Sequence, residues 1–472
     1  MFFLGRSHEI GLLNSIEKKR KAALTVVYGR RRVGKTRMIG EAFKDHTVWK
    51  FEGVEGENTA RQKTRFLHRL TELTGRHELS QMKPGNWSDL FTLLAQQLPK
   101  PKSAKAKPIV LFLDEFQWMA AGRNQLVSEF KYVWDNLLSK LRVHVVLCGS
   151  ICSFLVNNVV RSKSLYGRIH LEIPLGPLRI DEIEGVFRPK RSLRDLAELY
   201  MVVGGVPQYL EFIEPNLSVR ANVEKLCFTR TGYLVEEFER IFVSQFGSTP
   251  HYRKILKTLG AKPCATRQQL QKVTTLSGGG RITAYLEELS LAGFIEGYPS
   301  VDRPGAVHQT RYRLADPYMR FYFRFIEPAL AKIRKTEKPV FSQFVSDRRW
   351  ETWRGLAFER LCAAHAARIA DKLGFGAVRY DVGSWYAKDQ PAAQIDLMFL
   401  RGDGVAVICE LKFTDKKISR SIIAEVEKKR VALTLRKPHT IETVLITATE
   451  PTPDLVEEGY FNRILTLYDL FD

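Results

Sequence analysis

Cysteine is scarce in this chain, with six in 472 residues. That is too few for a disulfide framework, and Cys148 and Cys152 lack a second Cys or His pair at zinc-ligand spacing. The ten histidines show no ligand spacing either. No run of about 18 apolar residues occurs, so a transmembrane helix is not expected. The opening Met1–Arg6 lacks the basic start and long apolar centre of a secretory signal. Low-complexity tracts and internal repeats are missing as well. These absences leave a cytoplasmic multidomain protein without a membrane partner, its thiols kept in a reducing core. Negative charge is also short: 52 Asp+Glu against 73 Lys+Arg give a formal +21. An excess of that size points to a polyanion, nucleic acid first, or to a generally basic solvated surface.

What is present begins with short apolar runs of strand length, Leu24–Tyr28, Ile109–Leu113 and Val143–Leu147, separated by helix-like stretches. That pattern predicts a parallel α/β sheet covered on both faces over residues 1–176. Helical patterns alone fill 177–248, as in a small lid. Residues 249–330 carry winged-helix patterning: a helix, Thr266 as an N-cap, a second short helix, and a third after Gly278–Gly280 with Ile282, Tyr285, Leu286 and Leu289 on one face. A hairpin wing follows. After a charged linker, 340–472 returns to mixed α/β.

Gly29-Arg30-Arg31-Arg32-Val33-Gly34-Lys35-Thr36 matches G-x-x-x-x-G-K-[ST] between a strand and a helix. Backbone N–H groups of such a loop, continued by Arg37, wrap the phosphates of ATP, and the helix dipole adds to their hold. Lys35 is expected to bridge the β- and γ-phosphates, and Thr36 to offer its hydroxyl to Mg²⁺. Asp114 and Glu115 end an apolar strand at the carboxyl edge of the sheet. Asp114 is placed for the metal shell and Glu115 as base for an attacking water. Ser150 ends the third strand, either as a γ-phosphate sensor or as a plain exit to a loop. Arg168 is a candidate arginine finger, within its own subunit or across an interface of a homo-oligomer. Arg161 competes with it, and a surface arginine is the alternative.

Phe3-Leu4-Gly5-Arg6-x-x-Glu9, the phosphate loop, Asp114-Glu115, Cys148-Gly149-Ser150, Leu165-Tyr166-Gly167-Arg168 and Gly204-Gly205-Val206-Pro207-x-Tyr209-Leu210 occur in that order. The ordered set resembles the archaeal-type ATPases, an AAA+/STAND branch of the P-loop NTPases. The resemblance implies that Arg6 lies near the adenine and that Pro207 closes over the nucleotide. It also implies a winged helix and a restriction-endonuclease-like C-terminal domain, joined at Tyr312-Arg313-Leu314-x-Asp316-Pro317-x-x-Arg320-Phe321-Tyr322.

Gln394–Leu400 and Val405–Phe413 read as strands around the turn Arg401–Gly404. Glu410 and Lys412 then share a face, with Val407, Cys409 and Leu411 opposite, and pairing brings Asp396 towards Glu410. Two carboxylates and an amine suit Mg²⁺ and an activated water. The arrangement resembles the PD-(D/E)XK nucleases, with Glu359 matching their accessory acid and Gln394-Ile395 standing where proline often precedes the aspartate. Cleavage, DNA binding without cleavage, and an ordinary exposed strand all remain open. Arg267, Lys272, Arg281, Arg303, Arg311 and Arg313 around the wing are positioned for DNA phosphates, with protein docking the alternative. The aromatic run Tyr318–Phe325 reads as core and not as a stacking platform. Two functions fit: ATP-gated DNA processing with a Mg²⁺-dependent nuclease, or a STAND-like scaffold whose last domain only docks.

Overall fold

The computed structural model describes residues 4–471 except 20, 101–105, 123–124, 188–189, 248, 277–278, 299–300, 302–309, 337, 339 and 388–392. Arg303, Phe3, Gly278 and part of the lysine-rich loop therefore lie outside the described residues. The chain forms two compact units, Met1–Pro177 and Leu178–Asp472.

The first unit is built on a five-stranded sheet in the order β2-β3-β4-β1-β5. Its strands are β1 (Ala22–Tyr28), β2 (Val48–Glu52), β3 (Ile109–Asp114), β4 (Val143–Gly149) and β5 (Leu171–Pro174). Every neighbouring pair is parallel. The three inner strands are those the apolar runs predict, since both their faces are buried and no polar alternation interrupts them. The two edge strands were not expected. Lys50 and Glu52 break the apolar run of β2, and β5 is only four residues long. Val27, Val33, Met38, Ile39, Val110, Phe112 and Val146 share one core between sheet and helices. Each such side chain contributes about 1.5–3 kcal/mol on full burial.

The second unit begins with helices, including Leu193–Val203 and Glu237–Phe246. A three-stranded sheet follows, ordered β6 (Ala265–Thr266), β8 (Arg311–Leu314), β7 (Ile295–Tyr298). It packs with helices Pro250–Ala261, Arg267–Thr274 and Gly279–Leu291 in a winged-helix arrangement. Thr266 and Gln269 form a reciprocal capping box at the second helix. Ile282, Leu286 and Leu289 are buried. Tyr318, Phe321, Tyr322, Phe323 and Phe325 are core residues: Phe321 meets Trp353 at 5.2 Å and Tyr322 stacks on Phe238 at 4.7 Å between ring centroids.

A mixed five-stranded sheet closes the chain, ordered β13 (Arg463–Thr466), β12 (Thr440–Thr447), β11 (Val405–Lys412), β10 (Gln394–Arg401), β9 (Tyr380–Tyr386). β9, β10 and β11 run antiparallel; β11, β12 and β13 run parallel. The helix Asp347–Ala364, capped by Ser346, lies against β10 and β11. The helical segment expected as a separate lid is part of this unit. Glu198 on Leu193–Val203 accepts a hydrogen bond from the Trp350 indole at 2.6 Å and meets Arg354 at 3.5 Å. Gly204, at φ 69°, lets the chain turn against the ring of Pro317. Among the described residues no helix is long and apolar enough to cross a membrane.

Candidate functional site

The loop Gly29–Thr36 leaves β1 and enters the helix Lys35–Ala42 through Gly34, whose φ of 87° places it in the left-handed region. Arg32 adopts φ 74°. Gly29 lies so close to the Leu175 carbonyl that a Cβ has no room. Val33 anchors the loop in the core. Lys35 donates to the carbonyls of Gly29 at 2.7 Å and Arg30 at 3.1 Å, which curls its ammonium over its own loop. A cavity of about 510 Å³ opens here, lined among others by Arg31, Arg32, Lys35, Thr36, Arg37 and Glu115. Arg30 is buried and Arg31 pairs with Glu55 at 2.6 Å.

Thr36 Oγ1 donates to Asp114 Oδ2 at 3.0 Å, so the loop's hydroxyl meets the carboxylate at the end of β3. Both are hard oxygen donors, a set that fits Mg²⁺. Glu115 stands in the left-handed region at φ 47° and its carboxylate is engaged by three donors. These are the Ser150 hydroxyl at 2.8 Å, the Ser150 amide at 3.3 Å and the Gln117 side chain. Ser150 thus touches the carboxylate expected to act as base. Arg6 stands beside the phosphate loop. It is buried and donates to the carbonyls of Val33 at 3.1 Å and Gly176 at 2.5 Å, so it braces the phosphate loop. Arg168 forms a two-pronged ion pair with Asp135, at 2.6 and 2.8 Å, on the helix Gln125–Asn136. Pro207 opens the short helix Pro207–Leu210 of the second unit.

In the C-terminal sheet, Leu397 pairs with Cys409 in antiparallel strands, so Asp396, one residue back on β10, and Glu410, one residue on along β11, fall on the same side of that pair. A register shift in the β9–β10 pairing between Ile395 and Met398 re-aims the strand at Asp396. Both faces of β11 are buried over Ala406–Glu410, because helices and the sheet enclose it. Lys412 meets Glu410 at 3.1 Å and Glu425 at 2.9 Å. Glu359 is pushed up to about 7 by burial and then by the charge of Asp396, while burial raises Asp396 itself. The acids therefore feel one another. Yet among the described residues no three His, Cys, Asp or Glu side chains are arranged to hold a metal ion. Glu359, Asp396 and Glu410 thus interact electrostatically without forming a three-acid cluster. The Lys429 ammonium lies 2.7 Å from Glu410 and supplies it with a counter-charge.

The wing corrects an expectation. Arg313 is buried against Glu296 and lies 4.3 Å from the Tyr298 ring centroid, while Arg311 stacks on Tyr386 at 4.9 Å. Arg313 is therefore structural. Arg267, which donates to Thr283, stays near the surface with Lys272 and Arg281.

Residues 3–213 match the model of an ATPase domain found predominantly in Archaea. The amino-terminal part of the chain is an archaeal-type P-loop ATPase domain. Residues 322–429 match a family of archaeal and bacterial proteins of unknown function. An uncharacterised protein of Methanocaldococcus jannaschii is 24% identical over 88% of this chain and 88% of its own length. A second from that organism is 30% identical over 18% of this chain and 74% of its own length. Among solved structures, the Walker-type ATPase of Pyrococcus abyssi is 19% identical, with a TM-score of 0.48 over 68% of this chain and 96% of that one. The ORC2 protein of Aeropyrum pernix, solved with ADPNP and ADP, is 14% identical, with a TM-score of 0.40 over 70% and 95% of the two chains.

Sequence reasoning missed several residues around the ATPase pocket. Trp118 lines it, and its indole nitrogen is buried with no hydrogen-bond partner among the described residues. Gln117 grips Glu115. Lys50 contacts Asp114 at 2.9 Å from the unpredicted strand β2. Gln117 and Trp118 lie two and three residues after Glu115 and were legible as neighbours of that pair. Lys50 was not legible, because only sheet order brings β2 beside β3. Lys429 gave a faint signal, the i,i+4 spacing from Glu425, which reads equally as a surface pair.

Proposed function

We propose that the ATPase domain binds and hydrolyses ATP with Mg²⁺ and acts as a switch on a DNA-processing second unit. The observation that carries the nucleotide reading is the bond between Thr36 of the loop Gly29–Thr36 and Asp114. Loop amides and Lys35 hold the phosphates. Thr36 and Asp114 hold the metal, which supplies charge neutralisation to the phosphates when bound. Glu115 takes the proton of the attacking water once Ser150 and Gln117 release its carboxylate. Arg168, freed from Asp135, offers its guanidinium to the developing negative charge, and Tyr166 beside it is 84% exposed, which favours reach into a neighbouring subunit. ATP binding and loss of the γ-phosphate would shift the population of unit arrangements.

For the second unit, DNA is the proposed partner on the strength of the net charge and of Arg267, Lys272 and Arg281 on the winged helix. Asp396, Glu410 and Lys412 form the proposed Mg²⁺-dependent phosphodiesterase centre, with Glu359 as accessory acid. The Lys429–Glu410 pair favours the second reading, a domain that docks on DNA or protein without cutting. Plasmid incubated with the protein, ATP and Mg²⁺ separates the two. Cleavage that Glu410→Ala abolishes supports the first; an intact plasmid leaves the ATP-dependent scaffold.

A further inference from the structure

Asp114 is 4% exposed in its side chain, so its carboxylate needs a partner to offset the desolvation of its charge. Two groups meet its Oδ2: the Thr36 hydroxyl at 3.0 Å and the Lys50 ammonium at 2.9 Å. The other oxygen, Oδ1, accepts from the Glu115 amide at 3.1 Å. Lys50 reaches Asp114 because β2 and β3 are parallel neighbours with Lys50 opposite Phe112 and Glu52 opposite Asp114. Its stem passes over the Phe112 ring, with Nζ 5.4 Å from the centroid. Lys50 and Glu52 are two apart on one strand and share a face, and the ammonium also contacts Glu52 at 2.8 Å.

The ammonium thus stands on the carboxylate oxygen that, with the Thr36 hydroxyl, makes the hard-oxygen pair suited to a divalent ion. Two cations cannot share that oxygen at contact distance without strong repulsion. Lys50 has somewhere to go. Its side chain is 33% exposed, and Glu52 is a second carboxylate at a similar distance. A groove of about 540 Å³, lined by Lys50, Glu52, Arg65 and Arg69, adjoins the phosphate cavity through Glu52 and Val54.

We propose that Lys50 is a resident counter-cation of Asp114, which yields its place to the divalent ion arriving with nucleotide and withdraws onto Glu52. Resting on the nucleotide reading above, this makes Lys50 a positioning residue that sets the metal dependence of nucleotide binding. It orients the Asp114 carboxylate before metal arrives, and it competes with the metal afterwards.

The test uses the full chain saturated with ADP, titrated with Mn²⁺ while free Mn²⁺ is read by electron paramagnetic resonance. Lys50→Met keeps the apolar stem and removes the competitor, so Mn²⁺ binds about fivefold more tightly than in the wild type, the ratio expected for a partly exposed ion pair. Lys50→Arg keeps the wild-type affinity. Glu52→Gln removes the alternative seat and weakens Mn²⁺ binding, an effect that disappears in the Lys50→Met background if Glu52 acts through Lys50. Should Lys50→Met fail to fold, the sign of the Glu52→Gln effect carries the test: unchanged or tighter Mn²⁺ binding overturns the proposal. Unaltered Mn²⁺ affinity in a folded Lys50→Met protein overturns it equally, while ADP binding itself stands. Absence of any ADP binding by the wild type overturns the nucleotide reading and this inference together.

Discussion

Lys429 stands 2.7 Å from Oε2 of Glu410, on a carboxylate only 4% exposed in its side chain. The pair ties the helix Ser421–Ala432 to the centre of the C-terminal sheet. Removing one partner of a buried pair leaves the other uncompensated. Lys429→Met is therefore expected to lower the stability of the metal-free protein by about 1–3 kcal/mol, with Lys412 as the remaining counter-charge. If Glu410 and Asp396 hold Mg²⁺, the added ion restores much of that loss. Urea unfolding with and without Mg²⁺ checks this, and a midpoint that Mg²⁺ leaves unmoved in the variant argues for the docking role.

Glu359 gives a pH signature. Burial and the charge of Asp396 push it up to about 7, above the ordinary glutamate value of 4.5. An acid whose folded pKa is raised is destabilising when ionised. Its cost is absent below the unfolded value, grows as pH rises between the two, and is complete above about 7. Glu359→Gln removes the charge, so its gain over wild type is expected to be small near pH 4.5 and to reach roughly 2 kcal/mol at pH 8. Urea unfolding at both pH values decides; an equal difference at each would falsify the raised pKa.

In the ATPase pocket, Lys35→Ala is expected to abolish nucleotide binding. Glu115→Gln keeps binding and lowers turnover by about 10²–10⁴-fold, the usual contribution of a positioned base. Fluorescent-nucleotide titration and phosphate release measured on the same preparations separate the two effects. Wild-type turnover in Glu115→Gln rules out that residue as base.

Arg168 and Asp135 are both about one-third exposed, so their pair adds at most about 1 kcal/mol to stability. Arg168→Ala is expected to fold normally and to lose most ATP turnover. Mixing it with Lys35→Ala protein restores part of the activity, because each variant supplies what the other lacks across a subunit interface. No recovery at any mixing ratio confines Arg168 to its own subunit.

DNA binding through the winged helix is expected to weaken linearly in log–log terms with salt. Neutralising Lys272 and Arg281 together lowers the slope by about 2, one for each phosphate left without its cation. Fluorescence anisotropy over a salt series measures it. An unchanged slope places the DNA surface elsewhere.

The phosphate loop was legible because its chemistry is local. Glycines, lysine and threonine at fixed offsets between a strand and a helix fix the cradle by backbone geometry alone. The three buried strands were legible for a similar reason, since enclosure on both faces demands continuous apolar runs. The edge strands β2 and β5 were not, because a half-covered strand tolerates Lys50 and Glu52. Arg313 was misread because a guanidinium looks alike in sequence whether it meets a phosphate or, as here, a carboxylate of its own sheet.

By itself, then, the sequence singled out the segments for which chemistry is proposed: the loop Gly29–Thr36, the acids 114 and 115, and the strand pair bearing Asp396, Glu410 and Lys412. Tertiary structure alone decided which charge stands against which. Lys50 reaches Asp114 from 64 residues away and Lys429 reaches Glu410 from 19 away, each through a neighbouring element and not through the motif. The physical reason is that a buried carboxylate takes whatever cation the packing brings within about 3 Å, and packing is set by sheet order and helix placement, which no local spacing encodes.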